Sequence, residues 1–314
     1  MAEPLRIDVG AADAGERLDL LLARLGGIGS RSAAQRAIDE GRVTVDGAMR
    51  PKRHRVAAGE RVEVAPGAVP AAEPTAGEVP FAVAFEDEHL LIADKPAGVV
   101  VHPARGHRGA TLAQALAGRA AGGEDPARAG IVHRLDKDTS GLLVIAKSEA
   151  VHRALQELIR RRELRREYLA LVEGCPPARS GTIDAPIGRD RRVRTRMSTD
   201  TDSPRAARTH FELERALAGF ALLRVTLETG RTHQIRVHLQ AIGHPVAGDP
   251  EYGSASSPGA AGAALGLTRQ FLHAARLAFV HPVTGEAIDV SSPLPPDLQG
   301  VLDRLHAEAE PRTV

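Results

Sequence analysis

The chain has 314 residues, which is enough for two domains or for one small domain joined to a larger one. Its single cysteine, Cys175, excludes an intramolecular disulfide and argues against a thiolate zinc site, so we expect a reducing, cytoplasmic compartment. The N-terminus contains acidic residues and no long apolar stretch, and the sequence therefore predicts neither a signal peptide nor a membrane span.

Positive charge is concentrated in three segments, although the net charge of the chain is only +1. Basic residues cluster at 50–55, 160–166 and 189–196. Only four of the 41 basic residues are lysines, a bias toward arginine that a GC-rich genome also produces. Three clusters in a nearly neutral chain indicate a one-sided charge distribution, which suits a polyanionic partner.

Two helices and a hairpin are predicted in the N-terminal part of the chain. The first helix follows from leucines at helical spacing, which are Leu18, Leu21, Leu22 and Leu25. The second begins at a capping box formed by Ser32 and Gln35, ends at Gly41, and has an apolar stripe of Ala34, Ala37 and Ile38. Alternating valines in 42–47 and 61–64 predict the hairpin.

This order of elements, with SRSAAQRAIDEGRVTVDG at its centre, resembles the small RNA-binding domain first named from ribosomal small-subunit protein four. The resemblance extends over roughly residues 16–65, a typical length for such a module. It implies that the second helix and the loop after it present basic side chains to RNA, namely Arg31, Arg36, Arg42, Lys52, Arg53 and Arg55. The alternative is a domain that only packs on its neighbour.

A segment rich in proline, alanine and glycine, 66–80, has no apolar periodicity and is predicted to be a flexible linker. It separates a small module, 1–65, from a large module that we expect to span 81–305, with a C-terminal tail at 306–314. In the large module, short strands flank an acidic turn after Phe81, a helix begins near Val151, and alternation then predicts further strands. This mixture indicates an α+β fold.

A further helix is predicted after the strand that ends near Gly230. Thr232 is its candidate N-cap, and Gly243 is expected to end it. Its buried stripe is predicted to contain Ile235, Leu239 and Ile242, which leaves Arg236 free to point elsewhere.

The segment IVHRLDKDTSGLLVIAK, 131–147, combines a polar loop with an apolar strand. Its acidic and small polar residues match the first half of a calcium-binding EF-hand loop. The twelfth position, however, is Lys147 rather than a bidentate glutamate, and the flanking sequence is strand-like. Taken alone, Asp136 would most simply cap a turn.

The whole segment resembles the signature of the pseudouridine synthases that include ribosomal large-subunit synthases D and C, in which HRLD carries the catalytic aspartate. The resemblance continues through REYLALVEG, LETGRTHQIRVH, HPVAGDPEYG and LHAARLAFVHPVTG. The N-terminal RNA-binding module and the arginine-rich RRRELRREY favour the D type. The resemblance implies a catalytic domain built on a mixed, mainly antiparallel sheet with a central cleft. It also implies an enzyme that acts on uridine in RNA.

The implied catalytic set consists of Asp136, Tyr168 and Arg236. Isomerisation breaks the bond from ribose to the ring nitrogen, turns the base and rejoins it through carbon five, so it needs neither a redox cofactor nor a phosphate donor. Asp136 can attack covalently or remove a ribose proton, and the sequence leaves both routes open. Arg236 would keep Asp136 charged, and Tyr168 would stack on the base. The alternative for Arg236 is an exposed helix arginine without a catalytic role, and the alternative for Tyr168 is a half-buried residue of the core.

Base flipping leaves a gap in the RNA, and the family resemblance implies that Arg134 fills it. Arg231 is also expected to contact the RNA. His133 is interpreted as a structural residue of the loop rather than a general base.

Two other functions fit the sequence less well. A histidine-dependent hydrolase lacks an H-E-x-x-H or G-x-S-x-G motif, and the spacing of His233 and His238 does not suit a metal on one helical face. A catalytically inactive RNA-binding or ribosome-assembly protein would be expected to have lost part of the catalytic set. The sequence therefore predicts a cofactor-independent, metal-independent, monomeric enzyme whose partner is 23S ribosomal RNA or the assembling large subunit.

Overall fold

The computed structural model describes residues 5–25, 34–35, 37–38, 41–65, 79–103, 109–193, 195–253, 262 and 264–309. The chain divides into two compact units, Met1–Thr75 and Ala76–Val314. Most of the predicted linker lies outside the described residues, as do the predicted cap Ser32 and the predicted RNA contacts Arg31 and Arg36.

The small unit is built on a short antiparallel sheet. Its described elements are β1 (Leu5–Asp8), α1 (Leu18–Leu25), β2 (Val43–Val45), β3 (Ala48–Met49) and β4 (Arg61–Val64). The strands pair in the order β1-β4-β2-β3. The sheet is larger than the predicted hairpin, because β1 adds along β4 and because the Asp46–Gly47 turn joins β2 directly to β3.

The core of the small unit contains predicted apolar positions together with Ile7, Val9 and Val56. Its buried side chains include Leu18, Leu21, Leu22, Ala34, Ala37, Ile38, Val43, Val45, Val62 and Val64. Residues 34–35 and 37–38 are helical, which confirms the second helix where it is described. Each fully buried leucine contributes roughly 1.5–3 kcal/mol relative to an exposed one, so these positions account for much of the stability of so small a unit.

A nine-stranded sheet forms the frame of the large unit within the described residues. Its strands are β5 (Ala82–Glu86), β6 (Leu90–Lys95), β7 (Ser140–Ala146), β8 (Arg165–Glu173), β9 (Ser180–Asp184), β12 (Arg208–Leu217), β13 (Phe220–Leu227), β14 (Leu272–Val280) and β15 (Ala287–Ser291). The order is β5-β6-β7-β14-β8-β13-β12-β9, with β15 paired to β14. The β7–β14 pair is parallel and the other pairs are antiparallel, which confirms the expected mainly antiparallel sheet.

Four α-helices, a 3-10 helix at Pro126–Arg128 and one short two-stranded ribbon are also found in the described part of the large unit, where residues 262 and 264 are helical as well. The helices are α2 (Leu112–Ala115), α3 (Glu149–Arg161), α4 (Gln234–Ala241) and α5 (Pro296–Ala309), and the ribbon pairs β10 (Gly188–Arg189) with β11 (Met197–Ser198). The hydroxyl of Ser148 caps α3 by accepting a hydrogen bond from the amide of Val151. The last helix, α5, continues past residue 305, where the large module was expected to end.

The two faces of the sheet carry separate apolar clusters. Tyr168, Ala170 and Val172 of β8 face one cluster with α4, whereas Leu171 faces another cluster that contains α5. This is the predicted alternation, and it follows from the period of two along a strand. One face of β8 therefore points toward α4 and the loop that carries Asp136.

Helix α4 differs from its prediction at both ends. Its N-cap is His233, in the left-handed region at φ 57°, rather than Thr232. Ile242 is 37% exposed rather than part of a buried stripe. The cause is that α4 is buried almost all round, since every residue from Gln234 to Leu239 is buried and its polar side chains have partners inside the fold. The predicted stop at Gly243, with φ 83°, is confirmed.

Within the described residues, no helix is long and apolar enough to span a bilayer.

Candidate active site

A cavity of about 370 Å³ lies between the loop at 131–136, strand β8 and the start of α4. Its lining includes each of the three predicted catalytic side chains, namely Asp136, Tyr168 and Arg236. The predicted RNA contacts Arg134 and Arg231 also line it. Residues that are far apart in the sequence therefore meet at one cleft of the large unit.

The loop that carries Asp136 is held in place through its main-chain carbonyl groups. The buried Lys95 donates to the carbonyl of Lys137 at 3.0 Å, and Arg269 donates to the carbonyl of Asp138 at 3.0 Å. Burial lowers the pKa of Lys95 to about 7. Because hydrogen bonds fix two successive carbonyls, the carboxylate of Asp136 projects from a braced backbone, with its side chain 16% exposed.

Gly141 allows this loop to enter the sheet. Its φ is 110°, and a Cβ atom at this position would lie 2.2 Å from the carbonyl oxygen of Ala274 on β14. Only glycine tolerates both the backbone conformation and the approach. The parallel pairing of β7 with β14 therefore involves the last two residues of the DKDTSG segment, Ser140 and Gly141.

Arg236 is surrounded by carboxylates. It binds Asp249 in a bidentate arrangement, from Nε to Oδ2 at 2.6 Å and from Nη2 to Oδ1 at 2.9 Å. Its Nη1 donates to Asp136 Oδ2 at 3.3 Å, and Glu251 Oε2 lies 3.5 Å from Nη2. Burial would lower the pKa of Arg236, but the bonds to Asp249 and the negative charges of Asp249, Asp136 and Glu251 together outweigh it and the pKa is raised. The guanidinium is therefore a fixed positive charge beside Asp136.

Asp249 was missed by the sequence reasoning, although HPVAGDPEYG had been noted as part of the family signature. This carboxylate is fully buried. Burial raises its pKa, but the hydrogen bond and charge of Arg236, together with the hydrogen bonds from the amides of Tyr252 and Glu251, outweigh burial and the pKa is lowered. The helical pattern of α4 indicated only that Arg236 pointed away from the apolar stripe, and it could not indicate which acid Arg236 would meet.

A second polar group connects α4 to Asp136. The Tyr252 hydroxyl accepts from the amide of Met197 at 2.9 Å and lies 2.8 Å from His233 Nδ1. His233 Nε2 is 4.0 Å from Asp136 Oδ1. Burial lowers the pKa of His233, although Asp136 opposes this effect. The Tyr252 ring also packs against Arg236, whose guanidinium carbon lies 4.8 Å from the ring centroid.

Tyr168 lies on the opposite wall of the cleft. Its side chain is buried, and burial raises its pKa, so the hydroxyl is protonated at neutral pH. His133, on the same side, accepts a hydrogen bond from the amide of Val144 at 3.1 Å. Burial and the charge of Arg166 lower the pKa of His133 to about 3. His133 is thus neutral and tied to the sheet, as expected of a structural residue.

The predicted RNA contacts of the large unit lie at the more exposed part of the cleft. Arg134 is exposed, with Nη1 3.4 Å from His102 Nε2. Burial, together with Arg134, lowers the pKa of His102 to about 4, which keeps this ring neutral. Arg231 is partly exposed and donates from Nε to the carbonyl of Ala206 at 3.0 Å.

The predicted RNA contacts of the small unit belong to the other compact unit. Arg42 and Lys52 are partly exposed, whereas Arg53 and Arg55 are exposed. Arg55 donates to the carbonyl of Gly15 at 2.7 Å.

The basic cluster at 160–166 is not a uniform positive face. Arg160 and Arg161 bind Glu157, Arg162 binds Glu228, and Arg165 binds Glu167. Arg166 alone in this cluster is buried, and it lines the cavity. Among the described residues, no group of three or more His, Cys, Asp or Glu side chains could hold a metal ion.

Known proteins match both units. The family model for RNA pseudouridylate synthase matches residues 89–241, and the S4 domain matches residues 16–62. The chain is 45% identical over 294 residues to ribosomal large subunit pseudouridine synthase D of Nitrosomonas europaea, covering 93% of this chain and 85% of that protein. It is 46% identical over 313 residues to an uncharacterized RNA pseudouridine synthase of Chloroflexus aurantiacus, covering 98% and 96%.

A solved structure, that of human RNA pseudouridylate synthase domain containing 1, superposes with a TM-score of 0.56 at 27% identity, over 75% of this chain and 97% of that one. The range matched by the synthase model contains Asp136, Tyr168 and Arg236, and the S4 match lies within the predicted RNA-binding module. Both resemblances drawn from the sequence are therefore confirmed, and the chain belongs to the RNA pseudouridine synthase family, with an S4 domain in its N-terminal unit.

Proposed function

We propose that this synthase isomerises uridines in large-subunit ribosomal RNA, with Asp136 as the catalytic carboxylate. The observation that carries the proposal is the contact between Asp136 and the buried, fixed guanidinium of Arg236 inside the cavity. Relatives with 41–45% identity are named ribosomal large subunit pseudouridine synthase D, which supports this class of RNA as the substrate.

The charge on Asp136 serves either route of bond cleavage. In one, the carboxylate attacks the ribose or the base covalently; in the other, it removes a ribose proton and a glycal forms. Both need an ionised carboxylate in a fixed orientation. Arg236 supplies the neighbouring positive charge, and its bidentate bonds to Asp249 hold the guanidinium in place when the substrate binds.

Tyr168 and Arg134 are assigned to the flipped state of the RNA. Extruding a base from folded RNA costs on the order of a few kcal/mol, and stacking on an aromatic ring recovers roughly 1–3 kcal/mol. Tyr168 lies on the cavity wall and provides this ring. Arg134 is exposed at the same cleft and can enter the gap left in the RNA.

The small unit is proposed to hold the RNA through Arg31, Arg36, Arg42, Lys52, Arg53 and Arg55. We keep the division into a module at 1–65, a linker at 66–80, a catalytic domain at 81–305 and a tail at 306–314. We expect the enzyme to work in the cytoplasm as a monomer, on free 23S RNA or on the assembling subunit.

The test compares the wild type with Asp136→Asn in cells that lack their own synthase of this type, with pseudouridines mapped across ribosomal RNA. Asp138→Asn is the matched control, because it changes a second aspartate of the same loop. The wild type and the control should restore the same sites, and Asp136→Asn should restore none. Full restoration by Asp136→Asn would refute the catalytic assignment, and a wild type that restores no site would favour the inactive RNA-binding protein.

A further inference from the structure

Arg166 is a buried cation without a carboxylate partner in the described part of the chain. Its side chain lines the cavity with Asp136 and Tyr168, and the residue is only 4% exposed. Nη2 has one long hydrogen bond, to the carbonyl of Leu227 at 3.4 Å, and the buried Nε has no partner. A guanidinium cannot lose its proton at physiological pH, so the positive charge remains.

The nearest acid in the sequence faces the opposite side of the strand. Glu167 binds Arg165 at 2.6 Å, Arg224 at 3.0 Å and Arg276 at 3.0 Å. Because side chains alternate along β8, Arg166 shares its face with Tyr168 and not with Glu167. Three arginines thus share one carboxylate outside the cleft, while Arg166 meets none among the residues that the structure describes. Burying an unpaired charge is costly, so the site is arranged for a ligand that completes it.

The depth of Arg166 indicates which part of a nucleotide would reach it. The phosphates of a flipped nucleotide remain joined to the RNA strand and stay near the cleft mouth, where Arg134 is exposed and Arg231 is partly exposed. The base enters the pocket and is recognised there by hydrogen bonds to its edge. Uracil offers two carbonyl oxygens, and a guanidinium is a donor-only group.

We propose, resting on the proposed function, that Arg166 is a catalytic residue that binds a carbonyl oxygen of the flipped uracil and stabilises the base while it is detached from ribose. When the bond between C1′ and N1 breaks, its electron pair leaves with the base, which becomes an anion delocalised over the ring and its carbonyl oxygens. The anion turns and C5 bonds to C1′. C5 then loses its proton and N1 gains one, so the net reaction is an isomerisation.

The first experiment compares Arg166→Gln and Arg166→Lys with the control Arg165→Gln, which changes the neighbouring arginine on the other face. Single-turnover pseudouridine formation and RNA binding are measured on a ribosomal RNA transcript that the wild type modifies. Arg166→Gln should slow the chemical step by about 100-fold, as for a lost oxyanion donor, while RNA affinity changes little. Arg166→Lys should recover part of the rate, and the control should match the wild type.

The second experiment separates the base from the phosphate. With 2-thiouridine or 4-thiouridine at the target position, one of the two carbonyl oxygens is replaced by sulfur, a poorer acceptor, on a base that carries negative charge more readily. For the analogue that replaces the oxygen bound by Arg166, the rate ratio of wild type to Arg166→Gln should therefore fall from about 100 to below about 10, and a ratio that neither analogue lowers would overturn the proposal. A neutral methylphosphonate beside the target uridine should leave the ratio unchanged. If instead the ratio falls only with the methylphosphonate, Arg166 binds phosphate and the proposal is wrong.

Gly230→Ala offers an independent variant that keeps the charge. A Cβ atom at this position would lie 3.1 Å from Arg166 Nη1, so the guanidinium must shift by a few tenths of an ångström. We expect the chemical step to slow by roughly 3–10-fold, as for a misplaced positioning group. Equal rates for the wild type, Arg166→Gln and Gly230→Ala would overturn the role of Arg166 and leave the proposed function standing. A wild type without activity on any ribosomal RNA would overturn both.

Discussion

The two walls of the cleft treat buried positive charge in opposite ways. On the α4 wall, Arg236 is 5% exposed and meets three carboxylates, those of Asp136, Asp249 and Glu251. On the β8 wall, Arg166 is 4% exposed and meets none in the described residues. Burial alone therefore does not define the role of an arginine. A guanidinium that is paired with carboxylates, such as Arg236, is held in place by the protein. A guanidinium without a carboxylate partner, such as Arg166, is available to a ligand.

Replacing each arginine by methionine should give the largest contrast between the walls. Arg236→Met leaves the fully buried Asp249 without its partner, and we expect a loss of about 3–5 kcal/mol in the free energy of unfolding. Arg166→Met removes an unpaired buried charge and should leave stability unchanged or raise it by about 1 kcal/mol. Urea denaturation without RNA measures both. Equal losses would show that the walls do not differ.

Asp249→Asn tests the α4 wall from the acid side. An amide cannot accept both hydrogen bonds from Arg236, so we expect a loss of about 3 kcal/mol together with a large loss of pseudouridine formation. The control is Asp289→Asn, which changes an exposed bidentate partner of Arg276 and should leave the free energy of unfolding close to that of the wild type. The comparison uses the same denaturation measurement. A control that costs as much as Asp249→Asn would mean that burial of the pair is not decisive.

The pH dependence of stability tests His133, which lies in the loop at 131–136 and feels the charge of Arg166 on the β8 wall. Its folded pKa of about 3 lies below the ordinary value of 6.5, so the unfolded chain binds more protons as the pH falls between these values. The wild type should lose roughly 2–3 kcal/mol from this group between pH 6.5 and about pH 4.5. His133→Gln cannot gain this proton, so its stability gap to the wild type should narrow at low pH. Parallel pH curves would show that His133 does not contribute.

The smallest difference in stability is expected between Tyr168, which lines the cavity, and Tyr252, which packs against Arg236. Tyr252→Phe removes the hydroxyl that contacts His233 and accepts from Met197, and we expect a loss of about 1–2 kcal/mol. Tyr168→Phe removes a hydroxyl for which no partner is found among the described residues, and stability should be unchanged while single-turnover activity falls. Thermal denaturation and activity assays of both variants check this. If Tyr168→Phe lowered stability and Tyr252→Phe lowered only activity, the structural role would belong to Tyr168 and the functional role to Tyr252.

Local periodicity predicted much of the fold. The strands β8 and β13 are confirmed, alternate side chains of β8 face different clusters, and the apolar face of α3 is packed, because each feature depends on residues that are neighbours in the sequence. The prediction failed on α4. There, the left-handed backbone of His233 and burial on all sides replace the usual cap and stripe.

The polar part of the site was harder to predict than the fold. Resemblance to a family indicated Asp136, Tyr168 and Arg236, but neither Asp249 nor the open charge of Arg166. Which acid an arginine meets depends on the packing of separate elements, and no periodic pattern records it. The basic cluster at 160–166 is an example, because its arginines cannot be told apart in the sequence. In the structure, Arg160 and Arg165 pair with glutamates, whereas Arg166 is buried.

The pairing of β7 with β14 has a consequence for synthesis of the chain. The loop with Asp136 is fixed by Arg269, and the strand after it pairs with His273 and Ala274, more than 120 residues later in the sequence. Contacts over such separations form late in folding. A nascent chain that has not yet released these residues from the ribosome carries the complete HRLD motif but no assembled site. We therefore expect catalytic competence to appear only when translation is nearly finished.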